Sequence, residues 1–125
     1  MLVSIDENDS RPIYLQITGQ IKEQVSNGML PPGTELPSVR ELADSLSINM
    51  HTVRSAYLKL REDGVIKLRL GRRAIIARRI NPQHNASLEN ILETRMKELV
   101  TDALLTGLPP EEIRRIVTRQ LERLK

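Results

Sequence analysis

No cysteine occurs in this chain, so neither a disulfide framework nor a thiolate metal site is available to it. Its two histidines, His51 and His84, have no evident third ligand with which to build a zinc site, and neither a metal nor a cofactor is expected. Apolar runs extend over only a few residues, far short of the roughly 20 needed to span a bilayer. Met1 is followed by no basic region leading into an apolar one, as a secretory leader would require. A soluble cytoplasmic protein without a membrane partner is therefore the expectation. Catalytic arrangements are missing too: there is no nucleophile–base pair, no paired carboxylates at a strand end, no glycine-rich phosphate loop and no metal cluster. A chain of 125 residues fits one compact domain, or a small domain and an appendage, and leaves little room for a separate enzyme domain. These absences exclude more than they assign, but they tilt the reading from catalysis toward binding.

Net charge is only +3, so its distribution matters more than its size. Between Val65 and Ile80 stand Lys67, Arg69, Arg72, Arg73, Arg78 and Arg79 without a single acid. From Asn81 onward seven basic and seven acidic residues cancel. Basic charge is concentrated in one short stretch.

The spacing of apolar residues predicts a first helix over 12–27, with Ile13, Ile17, Ile21 and Val25 four residues apart and Asn27-Gly28 as its stop. After a turn at Pro31-Pro32-Gly33, Ser38 and Glu41 have the spacing of a capping box, which opens a short second helix carrying Val39, Leu42, Ala43 and Leu46. Ser47-Ile48-Asn49 breaks it. Asn49 then serves as N-cap of a third helix whose apolar face is Val53, Ala56, Tyr57 and Leu60, ended by Asp63-Gly64. Two short helices around a tight turn form a helix-turn-helix. The third helix turns His51, Arg54, Ser55, Leu58 and Glu62 away from the core, and its first turns present the polar groups that a recognition helix needs at base edges.

At residue 65 the period changes to two. Ile66, Leu68 and Leu70 alternate with Val65, Lys67 and Arg69, predicting a strand with Ile66, Leu68 and Leu70 on its buried face. Gly71-Arg72 makes the turn, and Ala74–Ala77 return as a second strand. A basic hairpin directly after a recognition helix is placed to act as a wing, reaching phosphates or the minor groove beside it.

Beyond a polar linker, Ser87 can cap a fourth helix with Leu88, Leu92, Met96, Leu99 and Ala103 on one stripe, broadened by Ile91, Val100 and Leu104. Gly107 ends it. Pro109-Pro110-Glu111-Glu112 begins a fifth helix, with Ile113, Ile116, Val117, Gln120, Leu121 and Leu124 as its stripe. Two helices cover each other only in part, and a second copy of the chain is the economical partner for the rest, through Leu88, Leu92, Met96, Leu99, Ile113, Ile116, Val117 and Leu121. The predicted chain is mostly helical with a small β-hairpin: a winged helix-turn-helix domain at 1–80, a linker at 81–87 and a two-helix dimerisation region at 88–125. Its expected work is to bind double-stranded DNA as a homodimeric transcriptional regulator. A module that binds DNA without sequence preference, or one that binds protein, is the alternative. So short a tail cannot enclose the cavity of about 300 Å³ or more that a small-molecule site needs, so an effector would sit at the dimer interface or between head and tail, and its identity is unknown.

Pro32-Gly33, Leu36-Pro37-Ser38-Val39-Arg40-Glu41-Leu42-Ala43, Thr52-Val53-Arg54-Ser55-Ala56, Glu62-Asp63-Gly64-Val65-Ile66 and Gly71 occur in this order over half the chain. Together they resemble the DNA-binding domain of the GntR family of bacterial regulators, and the helical tail resembles that of its YtrA-like subfamily. The resemblance implies DNA contacts from Arg40, from Asn49, Met50, His51 and Thr52 at the opening of the third helix, from Arg54, and from the wing tip at Gly71-Arg72. Their chemistry agrees: Arg40 and Arg54 can meet guanine O6 and N7 in bidentate fashion, worth about 1–3 kcal/mol of discrimination each, while Ser38, Thr52 and Arg72 suit phosphates. Two positions depart from the family pattern. Met50 stands where many members have arginine, and Arg73 stands where a second wing glycine is usual.

Overall fold

The computed structural model of the protein describes residues 1–78 and 86–124, with side chains from residue 89 onward in the second stretch. The chain divides into two compact units, Met1–Ile80 and Asn81–Lys125. In the first, helix α1 (Ile13–Ser26) starts after Pro12, whose ring holds φ at −52°, and stops before Gly28 at φ +84°. It is one residue shorter at each end than the sequence pattern predicts. The four-residue spacing buries Ile17 and Ile21 completely and leaves Ile13 and Val25 at the margin.

A second face of α1 holds an arm that the sequence pattern does not predict. Gln24, Gln20 and Gln16 each use one amide to accept from the backbone N–H and donate to the backbone C=O of a single arm residue, Leu2, Ser4 and Asp6 in turn, at 2.6 to 3.2 Å. Each glutamine thereby replaces one residue of a partner strand. Val3 and Ile5, the residues between, settle half-buried on the core. Gln16 and Gln24 are buried without an unsatisfied polar atom, since the arm supplies their partners.

Helix α2 (Val39–Leu46) opens with the predicted capping box: the Glu41 N–H donates to Ser38 Oγ, and the Ser38 N–H to Glu41 Oε1, both at 3.1 Å. It closes at Ser47, which adopts the left-handed conformation (φ 56°, ψ 45°), so that the Ile48 N–H returns to the Ala43 carbonyl at 3.0 Å. A side chain there costs roughly 1–2 kcal/mol, offset in part as Ile48 turns onto the core. Helix α3 (Met50–Glu62) is capped by Asn49 Oδ1, which accepts from the His51 N–H at 2.8 Å. Val53, Ala56, Tyr57 and Leu60 are buried as the spacing requires, and α1 and α2 both pack against this helix. The Tyr57 hydroxyl donates to the Pro37 carbonyl at 2.6 Å, which allows a phenol in the core; burial pushes its ionisation well up.

Asp63, just past α3, ties that helix to α1, with Lys22 Nζ at 2.7 Å and Lys59 Nζ at 3.4 Å. The hydrogen bond from Lys22, and secondarily the charges of Lys22 and Lys59, hold the Asp63 carboxyl below the usual aspartate range. A carboxyl whose folded-state value is depressed stabilises the fold fully above its unfolded value, and the contribution disappears as pH falls through the folded value. Asp63→Asn is therefore expected to lower the urea midpoint modestly at pH 7, and the difference from the parent protein should close as the pH is taken below the aspartate range.

The hairpin pairs β1 (Ile66–Arg69) with β2 (Arg72–Ile76) antiparallel, Ile66 opposite Ile76, Lys67 opposite Ile75 and Arg69 opposite Arg72. The register shifts between Lys67 and Arg69, and this corrects the predicted alternation. Ile66 is buried, Leu68 is partly exposed and Leu70, expected on the buried face, stands fully exposed in the two-residue tip beside Gly71. Residues 33–36 extend the sheet along β2, with the Leu36 N–H donating to Ala74 O at 2.8 Å and the Ile76 N–H to Thr34 O at 2.9 Å. Leu36, Ala74 and Ile76 thereby join the core of the helices.

The second unit is a helical pair, α4 (Ala86–Leu105) and α5 (Pro110–Arg123). Gly107, at φ +89°, turns the chain, and the Leu108 N–H returns to Ala103 O at 3.1 Å. Among its described residues none is fully buried. Leu92 is 60% exposed and Leu99 and Leu121 64%; Met96, Ile116 and Val117 are exposed, and Ile113 is half-buried. Helix α4 begins at Ala86, inside the expected linker 81–87 and one residue before Ser87, its expected cap; residues 81–85 of that linker and the side chain of Leu88 lie outside the described residues. Among those described, no helix is long and apolar enough to cross a membrane.

Candidate nucleic-acid interface

The outer face of α3 is built by the same pattern that buries its inner one. With Val53, Ala56 and Tyr57 turned into the core, His51, Arg54 and Ser55 are exposed on the opposite side. Asn49, exposed at the cap, spends Oδ1 on the His51 N–H. Thr52 is half-buried in a shallow groove shared with Pro12, Ile13, Tyr14, His51 and Ser55. Met50 is also half-buried and packs on the core, which accounts for an apolar residue in the first turn. Neither the Arg54 nor the His51 side chain has a hydrogen bond or ion pair within the described protein.

Arg40 lies one helical residue inside α2, exposed and without a partner among the described residues. Ser38 accepts the Glu41 N–H at its hydroxyl oxygen, which leaves the hydroxyl hydrogen to donate outward. At the hairpin tip Gly71 holds φ +68°, a conformation that a side chain would strain. Arg72 beside it is exposed and unpaired among the described residues. The residues expected to meet DNA thus fall on α2, α3 and the wing of one unit.

The basic stretch is less uniformly available than its sequence suggests. Arg69 and Arg73 are engaged, Arg69 with Glu35 at 3.0 Å and Arg73 with Glu41 at 2.8 Å, whereas Lys67, Arg72 and Arg78 have no partner among the described residues. Arg79 lies outside the described residues. Ser38, through its backbone and then its side chain, and after it the Arg73 guanidinium, hold the Glu41 carboxyl below the usual range. These pairs were not visible in the sequence, because 34 and 32 residues separate their members. Leu70 was missed for a different reason: a register shift moved it from the inner face to the tip. Among the described residues no group of three or more histidines and carboxylates could hold a metal ion.

Residues 13–76, just over half the chain, match the family described as bacterial regulatory proteins, gntR family. The chain belongs to the GntR family. As a GntR member it is a sequence-specific DNA-binding transcriptional regulator and not an enzyme. It is similar to the HTH-type transcriptional repressor YtrA of Bacillus subtilis, 35% identical over 112 residues that cover 90% of this chain and 86% of that relative. Among solved structures, a transcriptional antiterminator from Listeria monocytogenes EGD-e has a TM-score of 0.90 at 29% identity, over 100% of this chain and 94% of that one. YtrA from Sulfolobus acidocaldarius, a GntR-family transcription factor, has a TM-score of 0.67 at 35% identity, over 81% of this chain and 99% of its own. Similarity that runs past residue 76 into the helical pair places this GntR protein in the YtrA-like branch.

Proposed function

We propose that this GntR protein is a cytoplasmic homodimeric repressor that seats two winged helix-turn-helix heads on a pseudo-palindromic operator. The observation carrying the dimer is the helical pair: apolar residues of both stripes, Leu92, Met96, Leu99, Ile116, Val117 and Leu121, are exposed in a unit with no fully buried described residue. Such a face is uncovered until a second copy meets it, and a two-fold arrangement closes the assembly. The name of the Bacillus subtilis relative supports repression over activation. In each head Arg40 and Arg54 read guanine edges in the major groove, and Asn49, Met50 and His51 line the opening of the recognition helix. Ser38, Thr52 and Arg72 hold phosphates, and Gly71 lets the tip approach the backbone.

The decisive experiment selects duplexes from a random pool at physiological salt with excess competitor DNA, then compares the best duplex with its scramble. The expected result is a two-fold-symmetric site, half-sites about one helical turn apart or a multiple of it, bound at least about a thousandfold more tightly than the scramble. Uniform binding with a steep salt dependence would instead make the protein a non-specific architectural binder. Sedimentation at micromolar concentration should give a dimer.

A further inference from the structure

One carboxylate in the head serves two elements. Glu41 Oε1 accepts the Ser38 N–H at 3.1 Å and so completes the cap of α2. Across from it, Arg73 Nη2 on β2 stands 2.8 Å from Oε1 and 2.9 Å from Oε2 of the same group. On the facing strand, Arg69 Nη2 lies 3.0 Å from Glu35 Oε2 and 2.8 Å from the Arg73 carbonyl, which Arg69 Nε also reaches at 3.0 Å. Arg69 thus grips the backbone of the residue whose side chain Glu41 holds. Among the described residues, backbone pairing binds the wing to the rest of the head only as far out as Ala74, through the Leu36 N–H. A two-stranded hairpin beyond such a root is marginal by itself, and the two ion pairs stand between this root and the tip at Leu70-Gly71.

We infer that Arg69 and Arg73 are positioning residues, which act through Glu35 and Glu41 to fix the angle of the wing and leave Arg72 as its DNA-contacting arginine. The inference rests on the wing's engaging DNA, as proposed above. Each guanidinium already has a carboxylate on its Nη2, so part of the charge that a phosphate would meet there is neutralised before DNA arrives. Holding the tip in place before DNA arrives lowers the ordering cost that binding would otherwise carry.

The alternative, direct phosphate contact by Arg73, makes the opposite prediction for Glu41. Removing a negative charge near DNA would then strengthen binding, whereas removing a brace weakens it. The test uses the full-length chain with Glu41→Gln, Arg73→Ala, the double variant and Arg73→Lys. Gln at 41 retains a carbonyl for the cap, and Arg73→Ala leaves the cap untouched should Glu41→Gln loosen α2. In the free protein, amide exchange of hairpin residues 69–74 is expected to quicken severalfold in both single variants and to recover in Arg73→Lys.

On the duplex selected by the parent protein, both single variants should bind about two- to fivefold more weakly, the range an exposed ion pair can carry. The double variant should be no weaker than either, and the slope of affinity against salt should not change. Unchanged hairpin exchange overturns the brace. So does tighter binding by Glu41→Gln together with a salt slope reduced by about 0.9 in Arg73→Ala, which marks a lost phosphate contact. If the parent protein selects no duplex, the operator reading fails while the exchange measurement still decides the brace.

Discussion

A protein carrying Leu92→Glu and Leu99→Glu is expected to sediment as a monomer and to lose about a hundredfold or more of its affinity for a two-half-site operator. The two leucines are seven residues apart, two turns along one face of α4, and both are largely exposed within their own unit. Glutamates there cost the isolated unit little, because water already reaches both positions. At a two-fold interface each substitution occurs twice, and four carboxylates would have to leave water without partners. The loss in DNA binding follows from linkage: two joined heads meet the second half-site at high effective concentration, and separated heads do not. Affinity for a duplex with a single half-site should stay near that of one parent head. A dimer that survives both substitutions would place the interface elsewhere on the chain.

Arg54→Ala and Arg40→Ala are each expected to weaken binding to the selected operator by roughly tenfold to a hundredfold, with a much smaller effect on random DNA. Alanine suits a helix interior, so neither α3 nor α2 should suffer. Both guanidiniums are exposed and free of ion pairs among the described residues, so the whole fork of donors is available to a guanine edge. The discriminating readout is the ratio between operator and scramble. Loss of a base-reading arginine lowers that ratio and relaxes the preference at one position of each half-site, whereas Arg72→Ala, at the position proposed to hold a phosphate, should weaken both duplexes alike. If Arg54→Ala lowers both affinities by the same factor, its role is phosphate binding.

Most of the head was legible because its signals are local. A capping box needs residues three apart, and Ser38 and Glu41 form it as read. Asn49 caps α3, and the apolar spacing of α3 separated its buried face from the face carrying His51 and Arg54. The wing was legible as a hairpin but not in its detail. A strict two-residue alternation assigned Leu70 inward, and one irregularity in register exposed it. Resemblance implies a first-turn contact from Met50, and the structure adds that its apolar side chain is half-buried on the core. What the sequence hid was long-range: Arg73 with Glu41, Arg69 with Glu35, and the amides of α1 with the arm. A charge read along a chain carries no sign of whether it is spent, and six basic residues in a row of sixteen gave no hint that two are neutralised by the head itself.

The arm and its glutamines form a vernier. Four residues of helix advance about 6.0 Å along the axis, and two residues of extended chain advance about 6.6 Å. Matching Gln16, Gln20 and Gln24 to Asp6, Ser4 and Leu2 therefore pairs two rulers whose divisions differ by roughly 0.6 Å. Over three rungs the slip is only about 1.2 Å, within reach of side chains that each have three adjustable torsions. The slip accumulates, however, so each further rung would stretch its bonds more than the last. A helix can thus template a strand only over a short, self-limiting length.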